Sequence, residues 1–386
     1  MRLVGVLAVA LVAGCSSTAA GGNAPPAPAP SGLKVEVVVD GLSHGWDVGF
    51  LPDGGMLIPQ RPGKLALVKG GKATEVRADF GDVLVRGEGG LMGLVVHPDF
   101  PRSRLFTTCQ THQENGQAVD IRLVTWQLSA DSTSATKVKD PLLGGLPVNP
   151  SGRHSGCRPT MAPDGTLLVG TGDTANGSIA QNRQSLGGKV LKIDLATGEA
   201  ARGNPFESSQ NANERRILTY GHRNVQGVAV RPKTGQIITA EHGPDVDDEL
   251  NSSKPGANYG WDPSKGGTQG GYDESVPMTD LRRFPDAVPS IWASGDPTEA
   301  ICGAAFLDGA QWGDLNGVLA VTALKGSKLL LFTLTPEGGV HSVAIPKELD
   351  DTLGRLRGAR QGPDGALYLT TSSGSNDKLL KVSRNV

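Results

Sequence analysis

The tetrapeptide Leu51-Pro52-Asp53-Gly54 returns along the chain as Ala162-Pro163-Asp164-Gly165 and Gly362-Pro363-Asp364-Gly365. Looser copies read His97-Pro98-Asp99-Phe100, Arg231-Pro232-Lys233-Thr234-Gly235 and Leu307-Asp308-Gly309. Proline presets the first turn dihedral, aspartate closes a local hydrogen bond and glycine takes the left-handed position. Each copy therefore predicts a tight turn between two strands. Short β-rich runs fit that reading at 166–169, 189–193, 236–239, 318–321, 329–332 and 366–369. No amphipathic helix longer than about 10 residues stands out. The copies lie about 46 to 76 residues apart, at or above the usual blade length of a β-propeller with room for loops. Radial repetition leaves only short sheet edges, so the expectation is all-β, a six-bladed β-propeller; a pair of β-sandwiches is the alternative.

The N-terminal segment reads differently. Arg2 precedes an apolar run from Leu3 to Ala13, too short to span a bilayer. The run ends in Val12-Ala13-Gly14-Cys15-Ser16, which resembles a bacterial lipobox. Residues 1–14 are then a lipoprotein signal peptide and Cys15 the lipidated first residue of an exported protein, held at the cell membrane and facing the envelope exterior or periplasm. An ordinary secretory signal with an incidental cysteine is the other reading, and it too implies export. Residues 15–32 form an Ala/Pro/Gly-rich flexible tether that cannot bury a core, which leaves 33–386 for the propeller. A formal net charge of −2 gives no field to collect nucleic acid or an anionic bilayer, so membrane contact is expected only through the anchor. Cys109, Cys157 and Cys302 remain after Cys15. Export permits one disulfide, and Cys109 with Cys157 on neighbouring blades is the expected pair, leaving Cys302 free. No Cys-x-x-Cys or His-Glu-x-x-His stretch supports zinc.

Gly170-Thr171-Gly172-Asp173-Thr174-Ala175 matches a dinucleotide-binding pattern after a strand, but Asn176-Gly177 interrupts any following helix, and that pattern needs a helix N-terminus. More distinctive are Gly87-Glu88-Gly89-Gly90-Leu91, Arg153-His154-Ser155-Gly156-Cys157-Arg158 and Tyr220-Gly221-His222-Arg223-Asn224-Val225-Gln226-Gly227. Glu241-His242-Gly243-Pro244, Asp248-Glu249-Leu250-Asn251 and Asn258-Tyr259-Gly260-Trp261 follow, then Ala323-Leu324-Lys325-Gly326 and Arg355-Leu356-Arg357. In this order they resemble the landmark segments of the soluble PQQ-dependent aldose sugar dehydrogenases, the glucose/sorbosone dehydrogenase family, from about Leu33 to the C-terminus.

The resemblance implies a PQQ- and calcium-dependent oxidation of an aldose at C1 to its lactone, with hydride passing to the quinone. His154 would be the base, a role suited to a neutral imidazole near pH 7. Lys325, Arg355 and Arg357 would bind the carboxylates and quinone oxygens of PQQ, with Arg223 and Asn224 nearby. Independently, Arg355 and Arg357 are two residues apart and would share one face of a strand, and arginine forks pair bidentately with carboxylates. The Gly243 and Pro244 carbonyls would hold Ca²⁺, and Glu249 with the Tyr259 carbonyl a second, structural calcium. Asp245, Asp247, Asp248 and Glu249 also read as an acidic solvated loop. Glu88 and Arg153 fall at positions that contact substrate. His222 and His242 are read as packing behind the site.

Arg153 departs from the family pattern, which has Asp or Asn beside its histidine, and so puts sugar contact and turnover in question. Val225 stands in place of a proline. The partners implied are a small sugar and an external electron acceptor, a cytochrome, quinone or dye. Two competing readings are a non-catalytic envelope propeller that has lost sugar turnover and a calcium-dependent propeller lactonase. Against the lactonase, the Arg355, Arg357 and Lys325 cations would repel a central metal.

Overall fold

A computed structural model describes residues 24–30, 32–264 and 271–385. Six four-stranded antiparallel sheets follow one another along the chain as blades: 49–76, 91–146, 156–220, 225–293, 301–344 and 356–384. The N-terminal strand Leu33–Leu42 adds to the last blade by pairing with the C-terminal strand Asp377–Arg384, so the two ends of the propeller domain close the ring. The fold is the six-bladed β-propeller that the turn repeat predicts.

Each copy of the repeat joins the first two strands of one blade. In the three strict copies Gly54, Gly165 and Gly365 have φ of 82°, 82° and 79°, the left-handed position the turn needs. Their N–H groups donate to Leu51, Ala162 and Gly362, and Asp53, Asp164 and Asp364 accept the N–H two residues on. Local turn chemistry thus sets one hairpin per blade, and each hairpin puts the start of its first strand at the opposite face.

Apolar side chains fill the spaces between blades, as in the cluster of Leu57, Leu65, Leu94, Phe106 and Trp126 between the first two. The innermost strands are too close for large side chains, and Gly93 and Gly303 sit where a Cβ would meet the backbone of the next blade. Cys109 and Cys157 form a disulfide between the second and third blades with Cα atoms 6.1 Å apart, and Cys302 is free and buried, as expected. One end of the central channel is locked by charge. Asp47 accepts from Arg360 Nε and Nη2 at 2.9 and 2.8 Å and lies 3.2 Å from Arg158 Nη1, tying the first, sixth and third blades together. Although burial pushes it up, Arg360 and then Arg158 hold the Asp47 carboxyl below its ordinary value.

The fold begins earlier than Leu33. Ala27 N–H donates to Val343 at 2.8 Å, Val343 N–H donates to Pro25, and Ala24 packs on the apolar cluster of the fourth and fifth blades. The outer strand of the fifth blade has an open edge, and Pro26, which lacks an N–H, loses nothing by lying along it. This part of the tether is therefore docked rather than free. Residues 1–14, expected to be a signal peptide, and Cys15 lie outside the described residues.

Candidate active site

At the other end of the central channel a cavity of about 400 Å³ is lined by Arg61, Glu88, Arg153, His242, Arg355 and Arg357, together with Gly87, Gly152, Gln226, Ala300 and Leu324. It draws on every blade: the loops before and the starts of first strands, and the ends of second strands with the hairpin turns that carry Arg61 and Leu324. Arg357 lies in the strand Leu356–Gln361 and Arg355 immediately before it, so both reach the cavity although only one is inside the strand. Among the described residues neither they nor Arg61 has a carboxylate partner. Burial, then Arg357 and Arg355, depresses the Arg61 guanidinium, and burial followed by Arg357 does the same to Arg355. Three guanidiniums gathered at one cavity, with no carboxylate ion pair among the described residues, suit an anionic ligand.

Orphaned donors and acceptors line the same region. Arg61 Nε, Arg223 Nε and His242 Nε2 are buried without hydrogen-bond partners among the described residues. Burial pushes the His242 imidazole down to about 3, so it is neutral. The sequence placed this residue behind the site; the structure puts it on the wall, because the chain turns out of the strand Ile237–Glu241 right at the cavity.

His154 is buried, at the end of a polar turn with φ of 50°. Its Nδ1 lies 2.8 Å from Asp173 Oδ1, and Asp173 also accepts from Trp261 Nε1 at 2.7 Å and Tyr272 Oη at 2.8 Å. An ionised Asp173 so surrounded can only accept, so the ring proton sits on Nδ1 and Nε2 keeps its lone pair. Asp173 belongs to the Gly170–Ala175 stretch that mimics a dinucleotide motif. In place of a helix, the chain there makes a turn that carries the carboxylate to His154.

Asn224 is fully buried and donates to Glu88 at 3.0 Å, while Gln226 donates to the same carboxylate at 3.1 Å. Burial acts to raise the Glu88 pKa, but the neighbouring groups outweigh it, the Asn224 hydrogen bond and the Arg357 charge among them, and its carboxyl lies below the ordinary value. Arg223 donates to the His242 carbonyl and to Glu274. Arg153, on the cavity wall, donates to Glu274 at 2.9 Å. Lys325 is exposed at the rim with Nζ 3.3 Å from Thr298, beside the lining residue Leu324.

Gly243 and Pro244 follow His242, and among the described residues no loop hydrogen bond ends on their carbonyls. Asp248 accepts from Gly243 N–H and, with Glu249, is buried; this part of the acidic stretch is not a solvated loop. Glu249 lies apart from the cavity beside Glu241, and burial followed by that like charge pushes its carboxyl up to about 8. Asn251 donates to both carboxylates at 3.3 Å while its own Oδ1 is buried and unpartnered. The Tyr259 ring stacks on His222, which bonds Glu241. Among the described residues no three His, Cys, Asp or Glu side chains converge as a metal cage.

The profile of the Glucose / Sorbosone dehydrogenase family matches residues 42–381. The chain belongs to the glucose/sorbosone dehydrogenase family. It is 30% identical to the aldose sugar dehydrogenase YliI of Escherichia coli, an alignment covering 92% of this chain and 94% of that one. The PQQ-bound aldose sugar dehydrogenase of Streptomyces coelicolor superposes with a TM-score of 0.72 at 28% identity, over 92% of this chain and all of that chain. The quinoprotein glucose dehydrogenase B of Acinetobacter calcoaceticus is 33% identical over 45% of this chain and 40% of its own length. Family and structural relatives thus support a function of the PQQ-dependent sugar dehydrogenase type in general.

The sequence did not single out Arg61, Asp173, Tyr272 or Glu274. Arg61 is the nearest to legible, since it follows the second strand of the first blade without an acidic neighbour.

Proposed function

We propose that this chain oxidises an aldose at C1 to the lactone, using PQQ and Ca²⁺, and passes the electrons to an external cytochrome, quinone or dye. The observation that carries the reading is the arc of Arg61, Arg355 and Arg357, without carboxylate partners, beside a histidine whose free Nε2 is fixed by Asp173. A flat tricarboxylate fits that arc, and the orphaned Arg61 Nε and His242 Nε2 supply directed bonds to it. Lys325 lends a point charge from the rim, and Arg223 and Asn224 close the side near His154. When bound, PQQ supplies the acceptor for the hydride that leaves C1.

The protein's own part is to bind, orient and deprotonate. Glu88 accepts a sugar hydroxyl and is held in place for it by the side-chain amides of Asn224 and Gln226. His154 Nε2 takes the proton of the C1 hydroxyl. Asp173 then stabilises the imidazolium that forms, without itself moving a proton. The Gly243 and Pro244 carbonyls would hold Ca²⁺ beside the cations' anionic ligand, since a hard cation takes oxygen donors. The Glu241, Glu249 and Asn251 oxygens, with the Tyr259 backbone, suit a second, structural calcium for the same reason. A non-catalytic propeller would gain nothing from a histidine fixed in one tautomer. Export and lipidation at Cys15 are part of the proposal, and Cys15→Ala should release the protein from the membrane fraction of a lipoprotein-processing bacterium.

The test is reduction of an artificial dye by the purified protein with PQQ and Ca²⁺ across a panel of aldoses. Turnover that needs both additions supports the reading; no oxidation of any aldose overturns it.

A further inference from the structure

The blade-four loop that carries Tyr272 and Glu274 folds across His154. Tyr272 anchors it: its hydroxyl donates to Asp173 and its ring sits edge-on to Trp261, with centroids 6.3 Å apart. Two residues on, the Glu274 carboxylate is gripped from both sides. One oxygen accepts from Arg223 Nη2, and the other accepts from Arg153 Nη2 at 2.9 Å. The oxygen on Arg223 stands 3.9 Å from His154 Nε2, the atom that takes the proton in the proposed reaction.

That spacing is too long for a hydrogen bond between the two groups. It suits two acceptors standing side by side. A carboxylate offers about four lone-pair sites, and the arginines occupy two, so acceptor capacity remains. The Glu274 side chain is 33% exposed, where a ligand can reach it. Burial acts to raise its pKa, but Arg223 and then Arg153 hold it below its ordinary value. Glu274 is therefore a persistent anion and a poor base, an acceptor of hydrogen bonds rather than of protons.

We propose that Glu274 is a substrate-binding residue which, paired with His154, reads two adjacent hydroxyls of the sugar. His154 Nε2 receives the hydroxyl on C1 and Glu274 receives its neighbour on C2. Arg153 and Arg223 are positioning residues that aim the carboxylate. This rests on the sugar dehydrogenase reading and narrows its substrates to aldoses with a free 2-hydroxyl. It also gives Arg153 a use: it serves as the clamp of an acceptor brought in by another loop.

The experiment compares D-glucose with 2-deoxy-D-glucose on the full protein loaded with PQQ and Ca²⁺. Wild type should favour glucose in kcat/KM by about 10-fold or more, since a site that pairs a hydroxyl rejects the analogue lacking it. Glu274→Ala should lower kcat/KM for glucose by about 10- to 100-fold and leave 2-deoxyglucose within about 2-fold, so that the preference collapses. Arg153→Ala should move the ratio the same way by less. Calorimetric titration of both sugars onto loaded His154→Asn protein, where turnover cannot consume them, should show the same preference and its loss on adding Glu274→Ala. Equal losses for both sugars, or no loss for either, would reduce Glu274 to a structural ion pair and overturn the proposal while leaving the sugar dehydrogenase reading intact. Protein that takes up PQQ yet oxidises and binds neither sugar overturns the proposal. Protein that takes up no PQQ and oxidises no aldose overturns both.

Discussion

The two ends of the central channel use the same residue type for opposite ends. Arg158 and Arg360 share the fully buried Asp47, and every charge there is answered within the chain. Arg357 is stacked on the same Trp46 ring as Arg158, the two guanidinium carbons lying 5.3 and 3.9 Å from its centroid, yet it shares its cavity with Arg61 and Arg355, and among the described residues none of the three makes a carboxylate ion pair. Between the two layers the Cys302 thiol touches both Arg158 and Arg357, at 3.8 and 3.7 Å. Paired cations at one end close the ring of blades. Unpaired cations at the other end wait for an anion. The lesson is that a buried arginine becomes a functional signal only through what its neighbours fail to supply.

Substitutions at the open end should cost function and not fold. The largest effect is expected from His154→Ala, which should lower dye reduction with aldoses by about 10²–10⁴-fold and leave PQQ uptake unchanged. Asp173→Asn should fall in the same direction, since the wrong tautomer would point a proton at the substrate. Steady-state kinetics beside a PQQ titration checks both.

At the closed end the expectation reverses. Asp47→Asn keeps the shape but leaves Arg158 and Arg360 without an anion, a loss of about 3–5 kcal/mol by analogy with other broken buried pairs. Denaturant unfolding should show that loss while the surviving folded protein still binds PQQ. The disulfide between the second and third blades and the apolar packing between blades keep enough structure for the comparison.

Much of the scaffold was legible because Pro-Asp-Gly turn chemistry is local: three strict copies and three looser ones mark one hairpin in each blade. Arg355 and Arg357 were legible from their spacing, and His154 from its landmark segment. The remainder depends on contacts that sequence distance hides. Asp173 lies 19 residues from His154, inside a stretch that imitates another motif. Glu274 lies 121 residues from the Arg153 it binds, so no local pattern links them. His242 looked like a packing residue because the exit of its strand toward the cavity is a tertiary matter. The Pro-rich tether looked free because nothing in its composition shows the open edge of the fifth blade.

A smaller effect separates the two ends by pH. The folded-state pKa of Asp47 is held below the ordinary 3.8 by Arg360 and Arg158. The unfolded chain therefore binds more protons as pH falls past that value, and the stabilisation, fully present above it, drains away toward the lower folded pKa. Stability measured from pH 6 down to about 2 should fall less steeply in Asp47→Asn than in wild type. Arg357→Ala should change that slope less, since Arg357 does not act on Asp47 and is only a lesser influence on the Glu88 carboxyl.

The central claim is that the unpaired arginines at the open end are a PQQ site. Titrating the purified protein with PQQ in the presence of Ca²⁺, and following the cofactor's absorbance, tests it directly. Saturable binding at one PQQ per chain, weakened by about 10-fold or more in Arg357→Ala through loss of a charged partner, is the predicted result. Absence of a saturable change in wild type, or identical binding by wild type and Arg357→Ala, would contradict it.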